Sequence, residues 1–456
     1  MQFIKTFQYR LLPTDEQNEI LHRHAGNVRF VWNKLLEFAN DKTQLTDINR
    51  GTLSKQVVDL KNSNEFLKST YSQPLQVQAD RLYQTFKKSR SKEIIARRKT
   101  KISIVSKIED PKLREIKMRK AERFGFPHFK SKFRHEDSIF YPQNFKIGKY
   151  EIYLPKIGNL KFIRHIPLEG TPKNVTIKQD GKFWNCSICC EVEIPDVALV
   201  PLEQANIVGI DMGIKTFASL SDGSVVENPK FLQKFEKRIK IHQKRLSKKE
   251  LNVKIENGKE IKISSNNRNK EVCKLQKEYR KLRNNRKNFL HQETHRMITK
   301  YDGFCVETLD IRNMIRDAMK KHKICLIRSI YDVSWYEFIR LLEYKSLWNS
   351  KYFIKMDKFY PSTQTCPFCG HVDKEITLDD RILLCPKCKV LMERDLRASQ
   401  TILHEGMIKL RDNYNIPQEP WEFKTVGESV ENAFDESVTS FSECQSFAKT
   451  LVFAKD

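Results

Sequence analysis

The chain has 456 residues, enough for several domains with their own hydrophobic cores. It has 83 Lys and Arg residues against 57 Asp and Glu residues, a formal net charge of +26. This charge favours a polyanionic partner, nucleic acid first and an anionic membrane surface second. No apolar run approaches the roughly 20 residues of a membrane-spanning helix, and Lys5 and Arg10 interrupt any signal-peptide core. These features exclude a membrane-spanning protein and predict a cytoplasmic or nucleoid-associated one, from a prokaryote.

The first 125 residues predict one strand followed by a helical domain. Residues 1–13 alternate apolar and polar positions as a strand does, and Pro13 ends the pattern. Thr14 and Gln17 then form a capping box, in which the Thr14 hydroxyl accepts from the Gln17 amide. Apolar residues recur at helical spacing afterwards, so residues 14–125 are predicted to be a helical domain.

Residues 126–200 change to short alternating strands and turns, which predict a small β-barrel completed by residues 1–13. Its opening run, Phe126–Lys132, breaks helix at Pro127 and interleaves aromatic residues with lysines. Such a mixture suits stacking on bases and neutralising phosphates. Lys130 and Lys132 are therefore candidate nucleic-acid contacts. The alternative is that the aromatic residues of this region are simply core.

Residues 201–359 contain two apolar strands that end near a carboxylate, Asp211 and Glu307. The basic segment between them predicts long helices interrupted near Asn257. Arginines crowd the second helix, and a bound phosphate backbone would relieve their mutual repulsion. Arg280, Arg283 and Arg286 are the candidate contacts.

Residues 360–390 contain two Cys-x-x-Cys pairs, the most specific metal signal of the chain. Cys366, Cys369, Cys385 and Cys388 match a structural zinc ribbon, in which four thiolates complete a closed tetrahedron around Zn²⁺. A redox role is the weaker alternative because the pairs come in tandem. The segment has little apolar content, so metal binding is expected to fold it.

Residues 391–412 place Asp395 on one helical face with small residues, a face suited to lying close against a sheet. Residues 413–456 form an acidic tail. Each carboxylate alone is more often a loop-facing cap than a catalytic group. Together, Asp211, Glu307 and Asp395 predict a pair of Mg²⁺ ions held by hard oxygen ligands.

The order of these features resembles the split RuvC nuclease domain of the TnpB family, the transposon-encoded RNA-guided nucleases related to type V CRISPR effectors. The order is Asp-x-Gly-x-Lys at Asp211, a strand ending in Glu307, the cysteine pairs, and Arg394-Asp395. The resemblance reaches to about Asp412 and also covers Lys5–Leu11, Phe126–Lys132, Asp332–Trp335 and Tyr360–Cys366.

The resemblance implies a multidomain α/β and α+β protein with an RNase H-like (RuvC) core in residues 201–359 and 391–412. It further implies an inserted zinc ribbon that binds target nucleic acid, a helical REC domain and a WED barrel. The implied partners are a guide RNA from the transposon end and double-stranded DNA, which is cut beside a short flanking motif. The expected chemistry is two-metal phosphodiester hydrolysis: one Mg²⁺ activates water and the other stabilises the leaving 3′ oxygen.

One residue departs from the family pattern. Arg397 stands where the family usually has Asn, two residues after Asp395, and Glu393 stands where Asp is common. A guanidinium beside the metals would either steady the phosphate or disturb ion binding. Arg397 is therefore a further candidate nucleic-acid contact.

Three alternatives remain open. The chain can be an RNA-guided DNA binder that represses without cutting, although all three acidic residues are present. It can be a compact type V CRISPR effector with an array-derived guide. A guide-independent resolvase leaves the helical and barrel regions unexplained. The guide, the flanking motif and the oligomeric state are left open by the sequence.

Overall fold

The protein is described here by a computed structural model that covers residues 2–41, 49–131, 138–193, 198–249, 251–256, 259–358, 360–377, 380–414 and 416. The chain divides into two compact units, Met1–Pro195 and Asp196–Asp456. Within the described ranges, every helix is too short or too polar to cross a membrane.

The first unit consists of helices and one antiparallel sheet. Its described helices are α1 Asp15–Asp41, α2 Arg50–Ser63, α3 Glu65–Lys68, α4 Ser72–Ser89, α5 Lys92–Ser106 and α6 Pro111–Glu122. Its described strands are β1 Gln2–Leu12, β2 Ser138–Tyr141, β3 Lys146–Ile147, β4 Glu151–Leu154, β5 Gly158–Ile163, β6 Thr171–Asp180 and β7 Phe183–Glu193.

These seven strands form an antiparallel sheet in the order β2-β6-β7-β1-β5-β4-β3. The amino-terminal strand lies in its centre, between β7 and β5. Over the described residues the sheet is a half-barrel with β2 and β3 at its edges, whereas the sequence predicted a barrel.

One core joins the sheet to the helices of this unit. The buried side of β1 presents Phe7, Tyr9 and Leu11 at every second position, as a half-buried strand requires. Trp184 is 1% exposed and its indole N–H donates to Asn18 Oδ1 on α1 at 2.9 Å. The core interpretation of Trp184 is therefore confirmed. The predicted capping box is also confirmed, because the Gln17 backbone amide donates to Thr14 Oγ1 at 3.2 Å.

The second unit is built on a five-stranded mixed sheet. The described strands of the whole unit are β8 Ile207–Met212, β9 Thr216–Leu220, β10 Val225–Glu227, β11 Leu251–Glu256, β12 Lys259–Ser264, β13 Gly303–Val306, β14 Tyr352–Lys355, β15 Ile382–Leu384 and β16 Leu391–Glu393. Its described helices are α7 Phe231–Ser247, α8 Asn266–Lys300, α9 Ile311–Lys320, α10 Ile324–Val333, α11 Trp335–Trp348 and α12 Arg394–Asn413.

The sheet order is β10-β9-β8-β13-β14. β10, β9 and β8 are antiparallel neighbours, whereas β13 is parallel to both β8 and β14. The predicted mixed α/β class is confirmed. The basic helices α7 and α8 are interrupted as predicted. The segment between them forms two antiparallel strands, β11 and β12, which the sequence did not predict.

Helices cover both faces of this sheet. Val208, Ile210 and Met212 of β8 share a core with residues of α8 and α11. The alternate residues of β8 face α12 on the other side, because successive side chains of a strand point to opposite faces. Gly209 shows this contact directly: a Cβ there would lie 2.1 Å from the carbonyl oxygen of Ser399.

We expect Gly209→Ala to destabilise the second unit by about 3 kcal/mol, because a new methyl group would push α12 off the sheet. Chemical denaturation followed by tryptophan fluorescence measures the change. Gly26→Ala is the matched control, since a Cβ in the middle of α1 meets only Arg29 Nη2 at 3.9 Å. It should be neutral or stabilising. Equal midpoints for both variants would contradict the close packing of α12.

Candidate active site and four-cysteine module

Two of the predicted carboxylates lie at neighbouring parallel strands, Asp211 within β8 and Glu307 directly after β13. The register pairs Ile210 with Val306, the residues that directly precede Asp211 and Glu307. Phe304 and Val306 belong to the core shared with α8 and α11. By strand alternation, the Asp211 and Glu307 side chains therefore leave the sheet on its α12 face.

The third carboxylate arrives from α12. Ser399 and Leu403 of this helix contact Gly209 closely, and Asp395 lies one turn before Ser399, in the first turn of the helix. Asp395 therefore lies within about one helical turn of the contact between α12 and β8. Electrostatics agrees, because the charges of Glu307 and Asp395 both act on Asp211. Glu307 and Asp395 therefore both lie near enough to Asp211 for their charges to act on it.

The charge state of this cluster follows from its surroundings. Burial, together with the charges of Glu307 and Asp395, raises the pKa of Asp211 to about 7. The Arg394 guanidinium and a hydrogen bond from the Met212 amide act in the opposite direction. Burial also raises the pKa of Glu307. Crowded, desolvated carboxylates repel one another, and a divalent cation with oxygen preference relieves that repulsion.

The four predicted cysteines form one compact group. Their sulfur atoms all lie within 4.8 Å of one another. Cys366 Sγ is 3.6 Å from Cys388 Sγ, and Cys369 Sγ is 3.6 Å from Cys385 Sγ. Zn–S bonds of about 2.3 Å place the sulfurs of a tetrahedral site about 3.8 Å apart. The group can therefore hold a structural metal ion such as zinc.

The two Cys-x-x-Cys turns share one backbone geometry. The residue after each second cysteine is left-handed, with φ of +66° at Gly370 and +60° at Lys389. Their amides donate to the carbonyl oxygens of Cys366 and Cys385 at 3.0 and 2.9 Å. The repeated geometry points each pair of thiols inward. The second turn continues through β16 into α12, so the module is continuous with the helix that carries Asp395.

Two arginines near Asp395 were missed by sequence reasoning. Arg381 Nη1 lies 4.0 Å from Asp395 Oδ1, and the Arg381 carbonyl accepts from the Arg394 amide at 2.8 Å. Arg394 precedes Asp395 in sequence, which was a usable signal. Arg381 gave none, because only the pairing of β15 with β16 brings it there.

Two predicted nucleic-acid contacts have other partners in the structure. Arg286 Nε and Nη2 donate to Asp332 Oδ1 at 2.8 and 2.6 Å, an internal ion pair, and its predicted phosphate contact stays a prediction. Arg397 is 1% exposed, and its guanidinium donates to the carbonyl oxygens of Gln364 and Thr365. This corrects the expectation that Arg397 contacts nucleic acid, because a buried guanidinium bonded to backbone does not reach a phosphate.

The other predicted contacts remain predictions. Lys130 Nζ lies 3.8 Å from the centre of the Trp32 ring. Burial, with the charge of Arg81, lowers the pKa of Lys130 to about 8. On α8, Arg280 is half-buried and Arg283 is exposed. Lys132 lies outside the described residues, as does the acidic tail from residue 417.

Three family models match the chain. Residues 187–318 match one described as "Probable transposase", residues 335–402 match the "Cas12f1-like, TNB domain", and residues 1–44 match a "Helix-turn-helix domain". The second match covers the four-cysteine module and the start of α12.

Full-length relatives are similar over most of the chain. A protein of Escherichia coli (strain K12), described as "Putative RNA-guided DNA endonuclease InsQ", is 30% identical over 422 residues, covering 89% of this chain and 93% of the relative. A "Putative RNA-guided DNA endonuclease" of Streptomyces pristinaespiralis is 27% identical, with 89% and 90% covered. The chain therefore belongs to the TnpB family, as its motifs predicted.

One solved structure with overall similarity is the chain of a "Cas12f1-sgRNA-target DNA complex". It is 15% identical, with a TM-score of 0.38, and 88% of this chain and 98% of that chain are covered.

Proposed function

We propose that this protein is an RNA-guided DNA endonuclease encoded by a transposon, and that it cuts double-stranded DNA beside a short flanking motif. Its curated relatives, named for this activity, support the proposal. The observation that carries it is that Glu307 and Asp395 lie close enough to Asp211 for burial and their charges to raise the pKa of Asp211. Sequence specificity comes from base pairing with the guide RNA.

The five-stranded sheet, with three antiparallel strands followed by two parallel ones, is on this proposal an RNase H-like core of RuvC type. Asp211, Glu307 and Asp395 would hold a pair of Mg²⁺ ions. When bound, the ions supply an activated water and stabilise the leaving 3′ oxygen. The protein residues contribute rigidity: β8 and β13 fix two carboxylates in parallel register, and α12 is fixed over them at Gly209.

The four-cysteine module, on the same proposal, is a zinc ribbon that binds target nucleic acid. The metal has a structural role, because four thiolates leave no open coordination position. Residues 1–13 and 126–200 form the WED-like part and residues 14–125 the REC-like part, which hold the guide RNA. These surfaces neutralise the phosphates of the nucleic acid with the excess of basic residues.

The proposal is tested by purifying the full chain expressed with its flanking genomic DNA and sequencing the RNA that copurifies. We expect one abundant RNA with a variable end, derived from the transposon end. The purified complex should then cut plasmids that carry the matching target and a suitable flank from a randomised library, in the presence of Mg²⁺.

A plasmid with a mismatched target is the control and should remain intact. An RNA from a repeat array would indicate a CRISPR effector instead, and guided binding without cutting would indicate a repressor. Protein free of RNA would contradict RNA guidance altogether.

A further inference from the structure

The inference concerns Arg397, a buried cation on the helix that carries Asp395. It is 1% exposed and among the largest fully buried side chains of the described residues. Its Nε donates to the Thr365 carbonyl at 3.2 Å, and its Nη2 donates to the Gln364 carbonyl at 3.1 Å. One turn later, the Thr401 hydroxyl lies 3.0 Å from the same Thr365 carbonyl oxygen and 2.9 Å from the Arg397 carbonyl oxygen, so its one proton is shared between these two acceptors. Two side chains of α12 therefore hold one short stretch of backbone.

That stretch is the frame of the first Cys-x-x-Cys turn. Thr365 directly precedes Cys366 and forms an isolated β-bridge with Val372. The Gln364 carbonyl also accepts from the Asp373 amide at 3.0 Å, and the Cys366 amide donates to the His371 carbonyl at 2.8 Å. The Gln364 carbonyl that accepts from Arg397 is thus also held by a hydrogen bond that closes the turn, and the Thr365 carbonyl belongs to the residue of the β-bridge.

The second Cys-x-x-Cys turn reaches α12 through the chain itself, by way of β16. The helix is therefore attached to one half of the module covalently and to the other half through Arg397 and Thr401. When the four thiolates hold a metal ion, both halves are locked together.

We propose that Arg397 is a positioning residue that couples metal loading of the four-cysteine module to the placement of Asp395. Asp395 lies two residues earlier, in the first turn of the same helix. If the module loses its metal, the Gln364 and Thr365 carbonyls are no longer held in place. The buried guanidinium then loses its acceptors, and the first turn of α12 shifts to satisfy it. This inference rests on the proposed function, since it assigns Asp395 to a divalent-ion site.

The test uses the full chain with its guide RNA and measures Mn²⁺ binding to the carboxylates by electron paramagnetic resonance, without any cleavage step. Zinc content is measured in parallel. In the wild type, removal of zinc by a chelator should weaken Mn²⁺ binding about tenfold. In Arg397→Met, Mn²⁺ binding should be weak even with zinc in place, and removal of zinc should weaken it little further. Arg397→Lys should recover part of the affinity.

Lys409→Met is the matched control, because Lys409 is a cation of the same helix that pairs with Asp357 elsewhere. It should bind Mn²⁺ as the wild type does. If Arg397→Met fails to keep zinc, Thr401→Val removes the second contact to the Thr365 carbonyl at nearly constant volume, and Mn²⁺ binding should weaken several-fold.

Wild-type Mn²⁺ affinity in zinc-loaded Arg397→Met, or in Thr401→Val, would overturn the coupling. If the Asp211→Asn variant binds Mn²⁺ as tightly as the wild type does, the proposed active site is contradicted instead.

Discussion

Asp211→Asn is expected to reduce guided DNA cleavage by about 10³-fold or more, while guided binding of the same DNA is retained. The substitution keeps the shape of the side chain but removes a negative oxygen ligand from the centre of the carboxylate cluster. Single-turnover cleavage and a filter-binding assay with the same duplex measure the two quantities. Loss of binding in parallel with cleavage would mean that Asp211 has a structural role.

Asp302→Asn is the matched control, because Asp302 lies just before β13, at the opposite end from Glu307, and pairs with Lys351. It should cut at the wild-type rate.

A second check is unfolding of the metal-free protein. The folded-state pKa of Asp211 is raised to about 7, so its stabilising contribution is present at low pH and is lost as the pH rises through 7. Asp211→Asn should therefore be more stable than the wild type at pH 8 and equal to it at pH 4.

Cys385→Ser is expected to remove zinc from the protein and to unfold the four-cysteine module. Cys385 is 1% exposed and closes the tetrahedron with a sulfur 3.6 Å from that of Cys369. Structural zinc contributes about 10–16 kcal/mol of binding free energy in small zinc domains, far more than the short strands β15 and β16 can replace. Zinc content by mass spectrometry should fall to near zero, and limited proteolysis should cut within residues 360–393.

The control for this prediction is Cys273→Ser, which changes an exposed cysteine of α8. It should retain zinc and resist the protease as the wild type does. Wild-type resistance in Cys385→Ser would show that the module folds without the metal. Because the module continues into α12, its unfolding should also reduce cleavage.

Several features of the active site were predictable because they depend on local chain geometry. Strand alternation and a carboxylate at the strand end identified Asp211 and Glu307, and a face of small residues on α12 predicted its close approach to a sheet. The contact of Ser399 with Gly209 bears out that approach. The cysteine spacing was sufficient by itself, because two short turns that each carry two thiols have few other arrangements.

The partners of two basic residues were missed because those partners are far away in sequence. Arg286 is paired with Asp332, and Arg397 is bonded to the backbone around Thr365. In a strongly basic chain, an arginine is expected to contact phosphate unless a group distant in sequence is known to accept its hydrogen bonds. The strands β11 and β12 were missed for a related reason: within the described residues they pair with each other alone, between two strongly charged helices.

The sequence by itself determined the four-cysteine set and the family and predicted the three carboxylates, since these depend on residue types in short motifs. The tertiary structure decided how they are joined. The parallel register of β8 and β13 sets Asp211 beside Glu307, and the close contact at Gly209 brings Asp395 to them. It also decided that Arg397 connects α12 to the cysteine module, because a buried guanidinium takes whichever acceptors the fold brings within hydrogen-bonding distance.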